Sequence, residues 1–97
     1  NIQGGLSGPA IKPIALLKVH QVYQVAKLHN VPIIGQGGIT NANDAIEFMI
    51  AGASAIGIGT GLFYNPLICK KINNDIKDYL ALNNINVLSE LIGSIDI

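Results

Sequence analysis

The stretch VPIIGQGGITNANDAIEFMIAGA, residues 31–53, decides the fold of this chain. Its first part, Val31 to Gly35, is apolar and too short for a helix, so it predicts a buried strand. Thr40 or Asn41 can cap a following helix, which Gly52 would end. The apolar positions of that helix recur at helical spacing: Ala42, Ala45, Ile46, Met49 and Ile50. The stretch therefore predicts a strand, a glycine turn and an amphipathic helix whose first turn carries Asp44.

The flanking sequence predicts further elements of the same kind. Before the stretch, a helix starts at Pro13 and ends near His29 and Asn30. After it, Ala55 to Gly59 predicts a second strand with a crowded inner face. A third helix starts at Pro66, with the apolar stripe Ile68, Ile72, Ile76, Tyr79 and Leu80, and Val87 to Ile92 predicts a short final helix. Strands and helices that alternate through short connections indicate a parallel α/β barrel.

Length and composition bound the class of protein. With 97 residues, the chain forms one domain at most, and its start at Asn1 in a glycine-rich run leads us to expect a fragment. Two strands cannot close a barrel, so further chain would have to complete it. A net charge of zero predicts neither a nucleic-acid patch nor a membrane anchor, and no apolar run reaches the roughly 20 residues of a membrane span. Cys69, the single cysteine, excludes an internal disulfide and fits the cytoplasm.

Glycines follow both predicted strands, where a phosphate could bind. Gly37 and Gly38 precede a helix start, so their N–H groups could cradle a phosphate, although a tight turn that merely needs positive φ explains one such pair equally well. The second turn, with Gly59 and Thr60, favours phosphate because neighbouring barrel loops can hold the same group. Neither turn completes a dinucleotide fingerprint.

Other reactive side chains have ordinary structural explanations. Ser7 in GLSGP lacks the final glycine of a hydrolase elbow and is better explained as a loop donor to a ligand. His20 and His29 lack metal-ligand spacing, so we expect solvated or capping histidines and no metal site. Cys69 is expected to be a buried, inert thiol. Lys12 is either a phosphate or carboxylate contact or a solvated lysine.

Four ordered motifs resemble a known family: GGLSGPAIKPIAL, VPIIGQGGI, AGASAIGIGT and the Asn65-Pro66 pair. Together they are similar to the C-terminal part of class 1 dihydroorotate dehydrogenases, which are FMN-containing TIM (β/α)8 barrels of pyrimidine biosynthesis. The SGPAIKP motif resembles that of the NAD-linked class 1B catalytic subunit more than that of the fumarate-using class 1A. The resemblance implies that residues 1–97 form the C-terminal part of one barrel domain, with about two βα units and terminal helices.

The resemblance also implies roles for individual residues. Gly8 resembles an FMN contact, with Ser7 a weaker one; Gly37 with Gly38 resembles the first phosphate turn, and Gly59 with Thr60 the second. The implied reaction is oxidation of dihydroorotate to orotate. Its catalytic base lies upstream in the family, so no catalytic residue is expected here and Cys69 should not inherit that role. The implied partners are a second copy of the full-length chain and a subunit with FAD and an iron–sulfur cluster.

Two alternatives remain at this stage. The first is another FMN or phosphate barrel, such as a dihydropyrimidine dehydrogenase-like flavin domain or a phosphosugar isomerase. The second is a non-catalytic phosphate-binding or truncated product. An upstream cysteine loop and flavin-contacting lysines would distinguish the enzyme from the truncated product.

Overall fold

A computed structural model describes residues 8–59 and 65–94 as a small α/β unit. Its helices are α1 (Lys12–Ala26), α2 (Ala42–Ala51) and α3 (Ile68–Leu82), and its strands are β1 (Ile34–Gln36) and β2 (Ala55–Gly57). Short 3-10 turns occupy Pro9–Ile11, Lys27–His29 and Leu88–Glu90. The predicted order of strand, helix, strand, helix is confirmed.

The two strands pair in parallel, as the α/β prediction requires. Ile34 pairs with Ala55, Gly35 with Ile56 and Gln36 with Gly57. Helix α2 connects the carboxyl end of β1 to the amino end of β2, which is the crossover of a βαβ unit. The loops that follow β1 and β2 therefore leave the same edge of the sheet.

Helix α2 lies at the centre of the core. Its start is fixed by Asn41, whose side-chain oxygen accepts a hydrogen bond of 2.9 Å from the Asp44 N–H. Phe48 is fully buried, and the helix contacts both α1 and α3. From α3 it receives three buried isoleucines, Ile68, Ile72 and Ile76. The stripe predicted for the third helix is thus confirmed at these positions, while Tyr79 and Leu80 pack against the core only in part.

Several element boundaries differ from the sequence prediction. Strand β1 starts at Ile34 rather than Val31, because the Val31 N–H closes the preceding helix by donating to the Ala26 carbonyl. Strand β2 ends at Gly57, two residues before the predicted Gly59. The short final helix expected at Val87 to Ile92 is only a 3-10 turn, and Gly93 follows it with a φ of 71°.

The third helix also begins later than predicted. Its first α-helical residue is Ile68, not Pro66, because the Asn65 side chain accepts a hydrogen bond from the Leu67 N–H. This local turn occupies the residues around Pro66 and delays the first helical hydrogen bond. Prolines therefore mark the region of a helix start more accurately than its first residue.

A tyrosine joins three elements at the amino ends of the strands. Tyr23 of α1 fills the space next to Gly52, which ends α2, and next to Gly93 near the end of the described chain; a Cβ on either glycine would collide with the tyrosine ring. The Gly93 N–H also donates to the Met49 carbonyl at 2.9 Å. The segment after α3 is therefore anchored to α1 and α2 at the edge opposite the glycine turns.

Two classes of feature are not found in this part of the chain. Among residues 8–59 and 65–94, no helix is long and apolar enough to cross a membrane. The same residues contain no group of three or more histidine, cysteine, aspartate or glutamate side chains that could hold a metal ion.

Candidate functional site

The candidate site is the sheet edge at which β1 and β2 both end. Because Gln36 pairs with Gly57, the turn that starts at Gly37 and the loop that contains Gly59 begin side by side. The Gln36 side chain covers Gly57, whose missing Cβ leaves the space that the glutamine amide occupies. The sheet register thus brings the two predicted glycine turns to one edge, where ligands bind in parallel α/β folds.

Gly37 and Gly38 are required by contacts within the chain itself. Their φ angles are 133° and 72°, which side chains rarely adopt. A Cβ on Gly37 would lie 2.6 Å from the Ala15 Cβ, and one on Gly38 would lie 2.6 Å from the Gly8 carbonyl oxygen. The close-packed turn that the sequence left open as an explanation for this pair is therefore present, whether or not a phosphate also binds there.

Gly8 and Gly59 have a different environment. No described atom lies within 4 Å of a Cβ built on either residue, so within the described part of the chain neither glycine is required by a close contact of its own Cβ position. Gly8 has a φ of 77° and precedes the Pro9–Ile11 turn. Ser7 and Thr60, the other two predicted cofactor contacts, lie outside the residues that the structure describes.

A charged cluster joins the start of α1 to the start of α2. The Lys12 ammonium lies 2.5 Å from one oxygen of Asp44 and 3.1 Å from the Glu47 carboxylate. The second Asp44 oxygen accepts hydrogen bonds of 3.0 Å from both the N–H and the hydroxyl of Thr40. Asp44 is only 8% exposed and is the one buried charged residue in the described part of the chain. Of the two explanations for Lys12, a carboxylate contact is the one observed, and the carboxylates belong to this chain.

The cluster shifts the pKa values of Lys12 and Asp44 so that the charged form of each side chain is favoured. Burial by itself raises the pKa of Asp44, but hydrogen bonds from Lys12 and Thr40 and the lysine charge outweigh it, so the net pKa is below its usual value of 3.8. The hydrogen bond to Asp44 raises the pKa of Lys12 above 10.5, with a smaller contribution from Glu47. Both side chains are therefore charged at neutral pH.

The remaining candidates take no part in the charged cluster. His29 is exposed, and the half-buried His20 has its Nδ1 atom 3.5 Å from the Gln24 amide nitrogen. The expectation that Cys69 is buried is wrong, because its side chain is exposed in the first turn of α3. Only every third or fourth residue of this helix faces the core, and Ile68 and Ile72 hold those positions on either side of the cysteine.

Sequence reasoning missed the link between Lys12 and Asp44. The two residues are 32 positions apart, and Asp44 was predicted only as a favourable charge at a helix start. No local pattern reports such a contact. The available signal was a lysine at the start of one helix and an aspartate at the start of the next, in a fold that places successive helices side by side.

Comparison with known proteins shows the family. The dihydroorotate dehydrogenase sequence profile matches residues 1–80. The chain belongs to the dihydroorotate dehydrogenase family. It is 51% identical to a dihydroorotate dehydrogenase B (NAD(+)) catalytic subunit of Brachyspira hyodysenteriae and 54% identical to one of Geotalea daltonii. These matches cover 97% and 100% of this chain but only 30% and 31% of the relatives.

Solved structures of the family agree with the fold. The crystal structure of an Eimeria tenella dihydroorotate dehydrogenase in complex with ferulenol superimposes with a TM-score of 0.85 at 29% identity. It matches 95% of this chain, which corresponds to 24% of the longer protein. The predicted family and the predicted fold, the C-terminal portion of a TIM (β/α)8 barrel, are thus confirmed, and the class 1B assignment agrees with the relatives' names. Those names describe a catalytic subunit, which implies at least one further subunit in the relatives.

Proposed function

We propose that the protein containing this chain is a dihydroorotate dehydrogenase, and that residues 1–97 are the C-terminal part of its barrel domain. In this proposal the chain contacts FMN through Gly8, with Ser7 as a weaker contact, and binds its phosphate through two turns, Gly37 with Gly38 and Gly59 with Thr60. The observation that carries the proposal is the pairing of Gln36 with Gly57, which starts both glycine turns at one sheet edge. Family membership supports the substrate and the reaction.

The local geometry fits a phosphate group. Backbone N–H groups at the start of a helix attract anions, and the turn before α2 stands at such a position. The N–H groups of Thr40 and Asp44 already donate to side chains of the same turn. A phosphate would therefore be held mainly by the glycine turn and, across the edge, by the backbone at Gly59.

The residues of this chain bind and orient the cofactor in the proposed reaction. When bound, FMN supplies the hydride acceptor for oxidation of dihydroorotate to orotate. The base that removes the substrate proton is proposed to lie upstream of this chain. Cys69 is assigned no part in the chemistry, because it lies on α3 beyond the second turn.

The proposal extends to the assembly. The electrons would pass to NAD⁺ through a partner subunit with FAD and a 2Fe–2S cluster, and the catalytic subunit would be a cytoplasmic homodimer. Isolation of the complex from its natural source would test this, with iron, FAD and FMN quantified per chain. A purified enzyme that contains FMN alone and cannot reduce NAD⁺ would contradict the NAD-linked assignment.

The function itself is tested with the full-length protein. It should release stoichiometric FMN on denaturation and oxidise dihydroorotate with an artificial electron acceptor. Thr60→Val, which deletes one hydroxyl donor and nearly preserves volume, should weaken FMN binding by roughly 1–3 kcal/mol. A flavin-containing protein that ignores dihydroorotate would replace this proposal with another FMN barrel, and equal FMN affinity in Thr60→Val would remove Thr60 from the site.

A further inference from the structure

The ion pair between Lys12 and Asp44 lies at the ends of two of the segments proposed to contact FMN, the Gly8 turn and the Gly37–Gly38 turn. Lys12 is the first residue of α1 and follows the turn that begins at Gly8, whose carbonyl accepts from the Ile11 N–H at 3.1 Å. Asp44 is in the first turn of α2 and accepts from the Thr40 N–H at the end of the glycine turn. The pair therefore joins the ends of both loops.

The loops also contact each other in front of the pair. The position of a Cβ on Gly38 is 2.6 Å from the Gly8 oxygen and 3.0 Å from the Lys12 Cβ. With the backbones in contact and the charged groups bonded behind them, the separation of the Gly8 segment from the glycine turn is fixed at two points. Such a double constraint is what a site needs to present donors from two loops at a preset distance.

The ion pair is expected to contribute little to folding stability and more to the relative position of the two loops. Its side chains are 23% and 11% exposed, so both groups lose hydration when they meet. A desolvated ion pair is often no more stabilising than a neutral pair of similar size. Removal of both charges should then leave the fold largely intact while the loops lose their fixed spacing.

We propose that Lys12 and Asp44 are a positioning pair that sets the Gly8 loop against the Gly37–Gly38 turn for cofactor binding. This inference rests on the proposed FMN site. Neither side chain needs to touch the cofactor. Breaking the pair would raise the FMN dissociation constant by more than any loss of folding stability accounts for.

The chain offers matched controls for this claim. Lys71 and Asp75 form an ion pair at 2.9 Å on α3, with side chains 69% and 42% exposed. Lys71→Met thus removes a lysine from an ion pair that shares no residue with the Lys12–Asp44 cluster. Ile72→Val trims the core between α3 and α2 and lowers stability without touching the charged cluster.

The experiment measures FMN dissociation constants of the full-length protein by flavin fluorescence, well below the Tm of every variant. Lys12→Met should weaken binding on the order of 10- to 100-fold, as for other residues that orient a binding group. Lys12→Arg should recover most of the affinity, because it restores the charge. Lys71→Met and Ile72→Val should match the unmodified protein.

A neutral double variant guards against failure to fold. Lys12→Met with Asp44→Asn removes both charges but keeps an acceptor for the Thr40 N–H, so its Tm should stay close to that of the unmodified protein while FMN affinity falls. Unchanged affinity in this variant and in Lys12→Met would overturn the inference, as would an equal loss in Ile72→Val. Absence of FMN from the unmodified protein would instead contradict the proposed function.

Discussion

Gly38 and Gly8 are in such close contact that a Cβ on Gly38 would lie 2.6 Å from the Gly8 carbonyl oxygen. A side chain on Gly38 would therefore push two loops apart and also oppose a φ of 72°. We expect Gly38→Val in the full-length protein to weaken FMN binding by about 2–4 kcal/mol, with backbone strain of about 1–3 kcal/mol as one part of the loss. Thermal unfolding and flavin retention after dialysis measure the two effects.

Gly59 provides the contrast to Gly38. No described atom lies within 4 Å of its Cβ position and its φ is not positive, so Gly59→Ala should lower the Tm much less than Gly38→Ala does. If Gly59→Ala lowers the Tm as far as Gly38→Ala does, the two positions do not differ in the way that the structure indicates.

Acid should destabilise the protein through Asp44. A carboxyl with a lowered pKa in the folded state contributes stability above its unfolded value of about 3.8, and this contribution is lost as the pH falls through the folded value. Lys12 behaves in the opposite sense, since its stability contribution is present below 10.5 and is lost as the pH rises through its raised pKa. Urea unfolding from pH 7 to pH 2 should show a smaller decline in Asp44→Asn than in the unmodified protein. An identical decline of the free energy of unfolding with falling pH in the two proteins would mean that the pKa of Asp44 is not lowered by folding.

The start of α2 depends on Asn41. Asn41→Ala removes the acceptor of the Asp44 N–H and should lower the free energy of unfolding by about 0.5–2 kcal/mol. Asn41→Ser keeps a capping oxygen and should lose much less. Chemical denaturation of the two variants checks the difference, and equal losses would show that capping is not the reason.

Cys69 should be reactive toward reagents and dispensable for catalysis. Because its thiol is exposed, a thiol reagent should modify it in the native protein without unfolding. Cys69→Ser should retain nearly full turnover. A loss of more than about a thousandfold, as expected for a central catalytic group, would contradict the assignment.

The isolated 97-residue chain should neither hold FMN tightly nor oxidise dihydroorotate. Helix α1 and the 3-10 turn that follows it expose a second apolar face that includes Ile14, Leu17, Val25 and Leu28, the last of them 73% exposed. Such a face promotes association, so light scattering should show aggregation, and Val25→Lys with Leu28→Lys should reduce it. A soluble monomer that unfolds cooperatively and binds flavin at micromolar concentration would contradict this prediction. Adding the upstream part of the protein in trans should restore FMN binding.

Periodicity and turn residues were enough to predict the order of the elements. Helix α2 was predictable because Asn41, Asp44 and Gly52 mark its ends and its apolar residues follow helical spacing. Strand ends were less accurate, since the extent of β1 depends on where the Ala26 carbonyl captures the Val31 N–H. Such a bond between neighbouring elements is set by packing, which the local sequence does not record.

The candidate site was predictable in position but not in its internal contacts. Glycine after each strand indicated the sheet edge, and parallel pairing brings those positions together. The packing of Gly37 against Ala15, and of Gly38 against Gly8, depends on how α1 lies beside the turn. The exposure of Cys69 likewise depends on which side of α3 faces α2. The apolar stripe that begins at Ile68 predicts that side, and it is a better guide than the general preference of cysteine for burial.

The contact of Tyr23 with Gly52 and Gly93 contributes to packing at the end of the strands opposite to the proposed ligand site. The tyrosine ring packs against these two glycines at the amino ends of the strands, whereas the turns that follow β1 and β2 lie at the carboxyl ends. Substitutions that tighten the packing around Tyr23 can therefore raise thermal resistance without altering the loops that would meet a ligand. Stabilising substitutions are therefore best placed near Tyr23, and the glycine turns are best left unchanged so that ligand specificity is kept.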